Sequence, residues 1–153
     1  MNKRHVVALI DGSEYSLLIL HYIKQLLAPA AHTVTLLCIQ EEFGNARSKR
    51  HTVAKSVPAQ HDTDGVADQE LVALLAHHQR DLEAAGFTTA VEIRFGDPIH
   101  EIDNYLDEER TDLIALTTHG RTGVQRVRLG SVAQHLIKHS ALPILLYRPF
   151  GYA

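Results

Sequence analysis

The chain has 153 residues, 45% hydrophobic and 22% charged, with a formal net charge of −3 at pH 7. A domain of that size buries roughly 70% of its unfolded surface, so one domain over residues 1–153 can hold a core without a metal or disulfide. The slightly acidic balance gives no general attraction to nucleic acid or to an anionic membrane, and the single cysteine, Cys38, excludes an intrachain disulfide.

The first element is HVVALI (5–10), a buried strand ending at Asp11–Gly12–Ser13. Its five apolar residues are too few for a signal-peptide core, and no apolar run of about 18 residues occurs elsewhere, so a cytoplasmic location is the default expectation. Tyr15, Leu18, Ile19, Tyr22 and Leu26 then recur with helical period and stop near Pro29. VTLLCI (34–39) is the second strand, with Cys38 read as a small buried hydrophobe. Residues 41–65 are polar and aperiodic and read as a long, mobile loop.

Leu71, Leu74, Leu75, His78 and Leu82 mark a second helix closed by Gly86, and AVEIRF (90–95) alternates as a strand. Asp97–Pro98 supplies an N-cap and a first-turn proline for a third helix carrying Ile99, Ile102, Tyr105 and Leu106. DLIALT (112–117) is an apolar strand. A fourth helix follows with Val132, Ala133, Leu136 and Ile137, and PILLY (143–147) is the last strand, its proline at the start. Strands and helices thus alternate throughout. That order implies an α/β fold, an open doubly wound parallel sheet with helices on both faces.

Ligands of such sheets sit beyond the carboxyl ends of the strands. Two distinctive segments fall there, Asp11–Gly12–Ser13 and THGRTGVQRVRLGS (118–131). Ser131 opens a helix, so its N–H and those of Val132 and Ala133 carry partial positive charge outward. Gly130 has no side chain to keep an anion from them, and the Ser131 hydroxyl adds a donor. Arg121, Arg126 and Arg128 make the loop positive, and His119 stands beside Gly120 at its start. The plainer reading is that glycines punctuate a loop, its arginines are solvated and Ser131 caps its own helix. No Gly-Lys-Ser/Thr and no GxGxxG after a strand occurs.

Taken together, these residues resemble the universal stress proteins. Nucleotide-binding members of that family carry Gly, two residues, Gly, nine residues, then Gly-Ser or Gly-Thr. Here Gly120 and Gly130–Ser131 stand at that spacing, while Thr117 replaces the first glycine. VVALIDGSEYS, FGDPIHEI, TDLIALTTHGRTG and LGSVAQHLIKHSALPILLYRP are similar to the family in the same order, over about residues 4 to 149 and least in 41–65.

The resemblance implies a Rossmann-like five-stranded sheet of order 3-2-1-4-5 with four helices. It implies that Asp11 meets the adenosine end of a nucleotide and that Ile39 packs on adenine beside Leu9 and Leu116. Gly120, Gly130, Ser131 and Val132 would hold ribose and triphosphate, with the Thr117 hydroxyl as a ribose or phosphate partner. The cofactor implied is ATP, ADP or AMP, with Mg2+ as companion of a triphosphate. A homodimer through the last strand (Pro143, Ile144, Leu145, Leu146, Tyr147) is implied as well. The function that follows is a regulatory switch or sensor of stress, at most a slow ATPase, with a nucleotide-independent dimeric scaffold as the alternative.

Other clusters read as structural. His135 and His139 are at i, i+4, the spacing of two zinc ligands, but no cysteine or carboxylate obviously completes a site. HDTDG (61–65) lacks calcium-loop spacing, and His77 and His78 point apart. Glu101, Asp103, Asp107, Glu108 and Glu109 read as a solvated helix face. No GxSxG nucleophile elbow occurs.

Overall fold

The computed structural model describes residues 2–41, 69–118 and 129–149. Strands and helices alternate in the order β1 (Arg4–Ile10), α1 (Glu14–Leu26), β2 (His32–Gln40), α2 (Gln69–Ala84), β3 (Thr88–Phe95), α3 (Pro98–Glu108), β4 (Leu113–Thr117), α4 (Ser131–His139) and β5 (Ile144–Tyr147). The sheet runs β3-β2-β1-β4-β5 and every pairing is parallel. β1 and β4 are therefore neighbours, Val6 opposite Leu113 and Ala8 opposite Ala115. Their carboxyl ends share one edge, where the chain order reverses.

The period of two along each strand divides the core. Val6, Ala8, Ile10, Leu36 and Cys38 face α1 and α2, packing on Ile19, Ile23 and Leu75. Val7, Leu9, Leu37, Ile114 and Leu116 face α3 and α4, packing on Ile102, Tyr105 and Leu136. Both faces of the central strands are covered, as their near-continuous apolar sequences require. Among the described residues, no helix is long and apolar enough to cross a membrane.

The buried stripe of α1 differs from the one expected. Ser16, Ile19, Leu20 and Ile23 are buried, whereas Leu26 is 63% exposed. The run SLLILHYI is apolar on most sides, so period alone leaves the face open. Ser16 turns inward because its hydroxyl donates to the Ser13 carbonyl (2.9 Å) and accepts from the Asp11 N–H (3.2 Å). Tyr22 instead lays its ring against Tyr147 of β5, centroids 4.2 Å apart.

The acidic residues of α3 are not all a solvated face. Glu101 is buried, and Glu108 accepts from Arg94 Nη2 at 2.9 Å. Arg94 is 4% exposed; it also donates to Glu92 at 2.6 Å and lies 5.1 Å over the Tyr105 ring. Burial works against its charge, but the two carboxylates outweigh that and hold its pKa above the ordinary value. Burial likewise pushes the Tyr105 hydroxyl up to about 12.

Candidate functional site

Beyond the carboxyl ends of β1, β2 and β4 lies a cleft of about 440 Å³, within the range that takes a nucleoside-sized ligand. Leu9, Asp11, Ile39, Leu116, Thr117, Gly130, Ser131 and Val132, singled out from sequence on separate segments, all border it. His119, Gly120 and Arg121 lie outside the described residues, as does most of the 41–65 segment. Glu41, at the start of that segment, also borders the cleft.

The polar floor is set by the turn after β1. Gly12 has φ of +86°, a left-handed conformation that side chains rarely adopt, and the chain reverses there into α1. Asp11 Oδ1 accepts the Ser13 N–H at 2.8 Å, while Ser13 Oγ accepts the Ser16 N–H at 3.2 Å. Ser13 is thus the cap of α1, and Asp11 is its brace. The Asp11 Oδ2 atom makes no hydrogen bond among the described residues and is the oxygen left for a ligand donor.

The start of α4 also borders the cleft. Its N-cap is Gly130, with no side-chain cap, so Ser131 stands inside the helix instead of capping it. Gln134 N–H closes the first turn on the Gly130 carbonyl at 3.0 Å. The N–H groups of Ser131, Val132 and Ala133 are the ones that a helix start leaves open, at the positive end of its dipole. All three residues border the cleft.

Leu9, Leu37, Ile39, Ile102 and Leu116 supply the apolar lining of the same cleft. The cleft therefore combines apolar lining suited to a flat ring with open amides suited to an anion, and Asp11 at the end of the central strand β1. Thr117 stands on the floor, its hydroxyl buried and without a partner among the described residues. The neighbouring Thr118 is 2% exposed and its hydroxyl is equally unpartnered.

Sequence reasoning missed Thr118, Ser16, Leu37, Pro98 and Ile102 as cleft residues. Ile102 was legible only as core, because a helix stripe does not say which of its members overhangs a strand end. Among the described residues, no group of three His, Cys, Asp or Glu side chains is disposed to hold a metal.

Comparison with known proteins agrees with this architecture. The model of the Universal stress protein family matches residues 2–148. Universal stress protein MJ0531 of Methanocaldococcus jannaschii is 36% identical over 66 residues, 43% of this chain and 39% of that protein. MJ0577 of the same organism is 34% identical over 70 residues, 46% and 43% of the two chains. The chain's matched segment spans less than half the length of either relative. In three dimensions the solved MJ0577 structure superposes with a TM-score of 0.71, at 21% identity and 100% coverage of both chains. A universal stress protein in complex with cAMP gives 0.63, at 18% identity over 97% of this chain and 98% of that one. One from Arabidopsis thaliana with AMP bound gives 0.62, at 15% identity over 95% and 91%. On the family match over residues 2–148, this chain belongs to the universal stress protein family.

Proposed function

We propose that this chain, acting as one domain over residues 1–153, binds an adenine nucleotide in the cleft and works as a cytoplasmic regulatory switch or sensor. The observation that carries the reading is the pairing, across one cleft, of an uncapped α4 start with an apolar wall and the Asp11 carboxylate. Adenine would pack on Ile39, Leu9 and Leu116, and Asp11 Oδ2 would accept from a ribose hydroxyl. The phosphates would take the amides of Ser131 and Val132, bared by Gly130, with His119, Gly120 and Arg121 as further contacts. Relatives in complex with cAMP and with AMP support an adenine ring as the apolar part. The phosphate count and the Mg2+ of a triphosphate are the finer part of the proposal.

Titration calorimetry with ATP, ADP, AMP and cAMP, each with and without Mg2+, tests it. Saturable binding of at least one nucleotide is expected, with ATP tighter in the presence of Mg2+. Absence of heat and of thermal shift with all four would leave a nucleotide-independent scaffold, the reading that the Thr117 side chain on the cleft floor favours.

We further propose a homodimer through β5, which lies at the edge of the described sheet with Ile144 to Tyr147 half-buried. An exposed edge strand of low charge is a ready template for pairing and calls for cover. Sedimentation equilibrium should then give twice the 17.0 kDa of the chain; a monomer at micromolar concentration would overturn it.

A further inference from the structure

The far ends of α3 and α4 enclose a second cleft, of about 740 Å³. His135 and His139 border it from α4, one turn apart, with ring centroids separated by 4.8 Å and planes inclined by 39°. From α3, the Asp103 carboxylate brackets His135 Nε2 with Oδ1 at 3.0 Å and Oδ2 at 2.9 Å. The carboxylate missing from the sequence reading is thus supplied by another helix, 32 residues away.

A carboxylate on one ring nitrogen makes that nitrogen the N–H donor and, in the neutral imidazole, leaves Nδ1 with its lone pair. This is the arrangement by which an outer carboxylate fixes a histidine in its metal-ligating tautomer. Two histidines at i, i+4 have the spacing of two imidazole ligands on one helix face. The setting also favours a cation. Asp107 and Glu109 border the cleft, and the last turns of both helices present the negative ends of their dipoles. The opposing cation on the lining is Arg110, whose guanidinium stands 3.7 Å from Asp112.

We propose that His135 and His139 form a two-imidazole site for a divalent transition-metal ion of the zinc type, with Asp103 orienting His135 from outside the coordination sphere. The absence of three converging ligands among the described residues makes this a labile site, its remaining positions taken by water. Imidazole selects zinc, nickel or copper over Mg2+ and Ca2+, which prefer oxygen donors. The site is at the opposite end of α4 from the nucleotide cleft and does not rest on the nucleotide reading.

The test is calorimetric titration of the full chain with Zn2+, and separately Mg2+, without nucleotide. Wild-type protein should bind one Zn2+ at this site and no Mg2+ there. His135→Ala and His139→Ala should each weaken that binding at least tenfold, Asp103→Asn should weaken it about 10- to 100-fold, and the control His77→Ala should leave it intact. The proposal is overturned if either α4 histidine variant titrates as wild type, if His77→Ala abolishes the site, or if Mg2+ competes equally. His139 is exposed, so its variant keeps the test decisive even where His135→Ala disturbs folding.

Discussion

The Gly130 N–H donates to the Thr118 carbonyl across 3.3 Å, and a Cβ built on Gly130 would stand 3.3 Å from that same oxygen. The start of α4 is thereby fastened directly to the end of β4, and a side chain there would fit only if that backbone gave way slightly. At φ −59°, ψ 159° the backbone of Gly130 is open to any residue, so the glycine answers to space and not to strain. Gly130→Val should cost about 1–3 kcal/mol through overpacking against a backbone atom. It should also reduce nucleotide affinity at least about tenfold, roughly 1.4 kcal/mol. Urea unfolding and calorimetry on the same preparation separate the two effects; unchanged affinity would remove α4 from the phosphate assignment.

Thr117→Val replaces a hydroxyl that has no partner among the described residues with a methyl of similar shape. A buried hydroxyl left without a hydrogen bond costs about 1–3 kcal/mol, so the nucleotide-free variant should be more stable, by about 1 kcal/mol. Nucleotide affinity should fall if a ligand supplies the missing partner. Chemical denaturation of the two apoproteins is the check, and a less stable valine variant would mean that the hydroxyl is already satisfied.

Ser13 and Asp11 share one turn but not one role. Ser13→Ala removes the α1 cap and should cost about 1 kcal/mol of stability while leaving nucleotide affinity alone. Asp11→Ala removes the brace on Ser13 N–H together with the oxygen proposed to meet the nucleotide, and should lower both stability and affinity. Equal nucleotide binding by the two variants would exclude Asp11 as a contact.

Arg94 is held in the interior by Glu92 and Glu108. Glu92→Ala leaves that guanidinium short of a partner and should destabilise by about 3 kcal/mol, whereas the double change Glu92→Ala with Arg94→Met should recover much of the loss. A double variant no better than the single one would show that the packing of the Arg94 guanidinium over the Tyr105 ring matters more than its ion pairs.

His78 titrates below its ordinary 6.5, first because burial disfavours its charged form and then because His77 repels it. The unfolded chain therefore takes up a proton that the folded chain still refuses. Stability from this residue is present above pH 6.5 and declines as pH falls from there towards the lowered folded value. The melting temperature of His78→Gln should fall less steeply than that of wild type over that acid interval; parallel curves would contradict the assignment.

What was legible in sequence was local. Element order, the N-cap at Asp97 with Pro98 behind it, and the alternating faces of the strands follow from side-chain period and cap chemistry within a few residues. So does the opening of α4 at Ser131, where a glycine precedes an apolar stripe. Two strand ends that border the cleft were recognisable because glycine and short polar residues there break apolar runs.

The remainder depended on distances between segments far apart in the chain. Which side of α1 is buried was decided by Ser16 closing on the Asp11 turn and by Tyr22 meeting Tyr147, not by its own period. Arg94, on an alternating strand, reads as solvent-facing until Glu92, Glu108 and Tyr105 are placed round it. Thr118 acquires meaning only beneath Gly130, and Asp103 only beside His135. The sequence by itself determined the family of elements and their order, because hydrophobic period and capping act over one or two turns. Only the tertiary structure decided which polar groups meet, because a hydrogen bond or a buried charge pair is fixed by packing across the sheet and between helices.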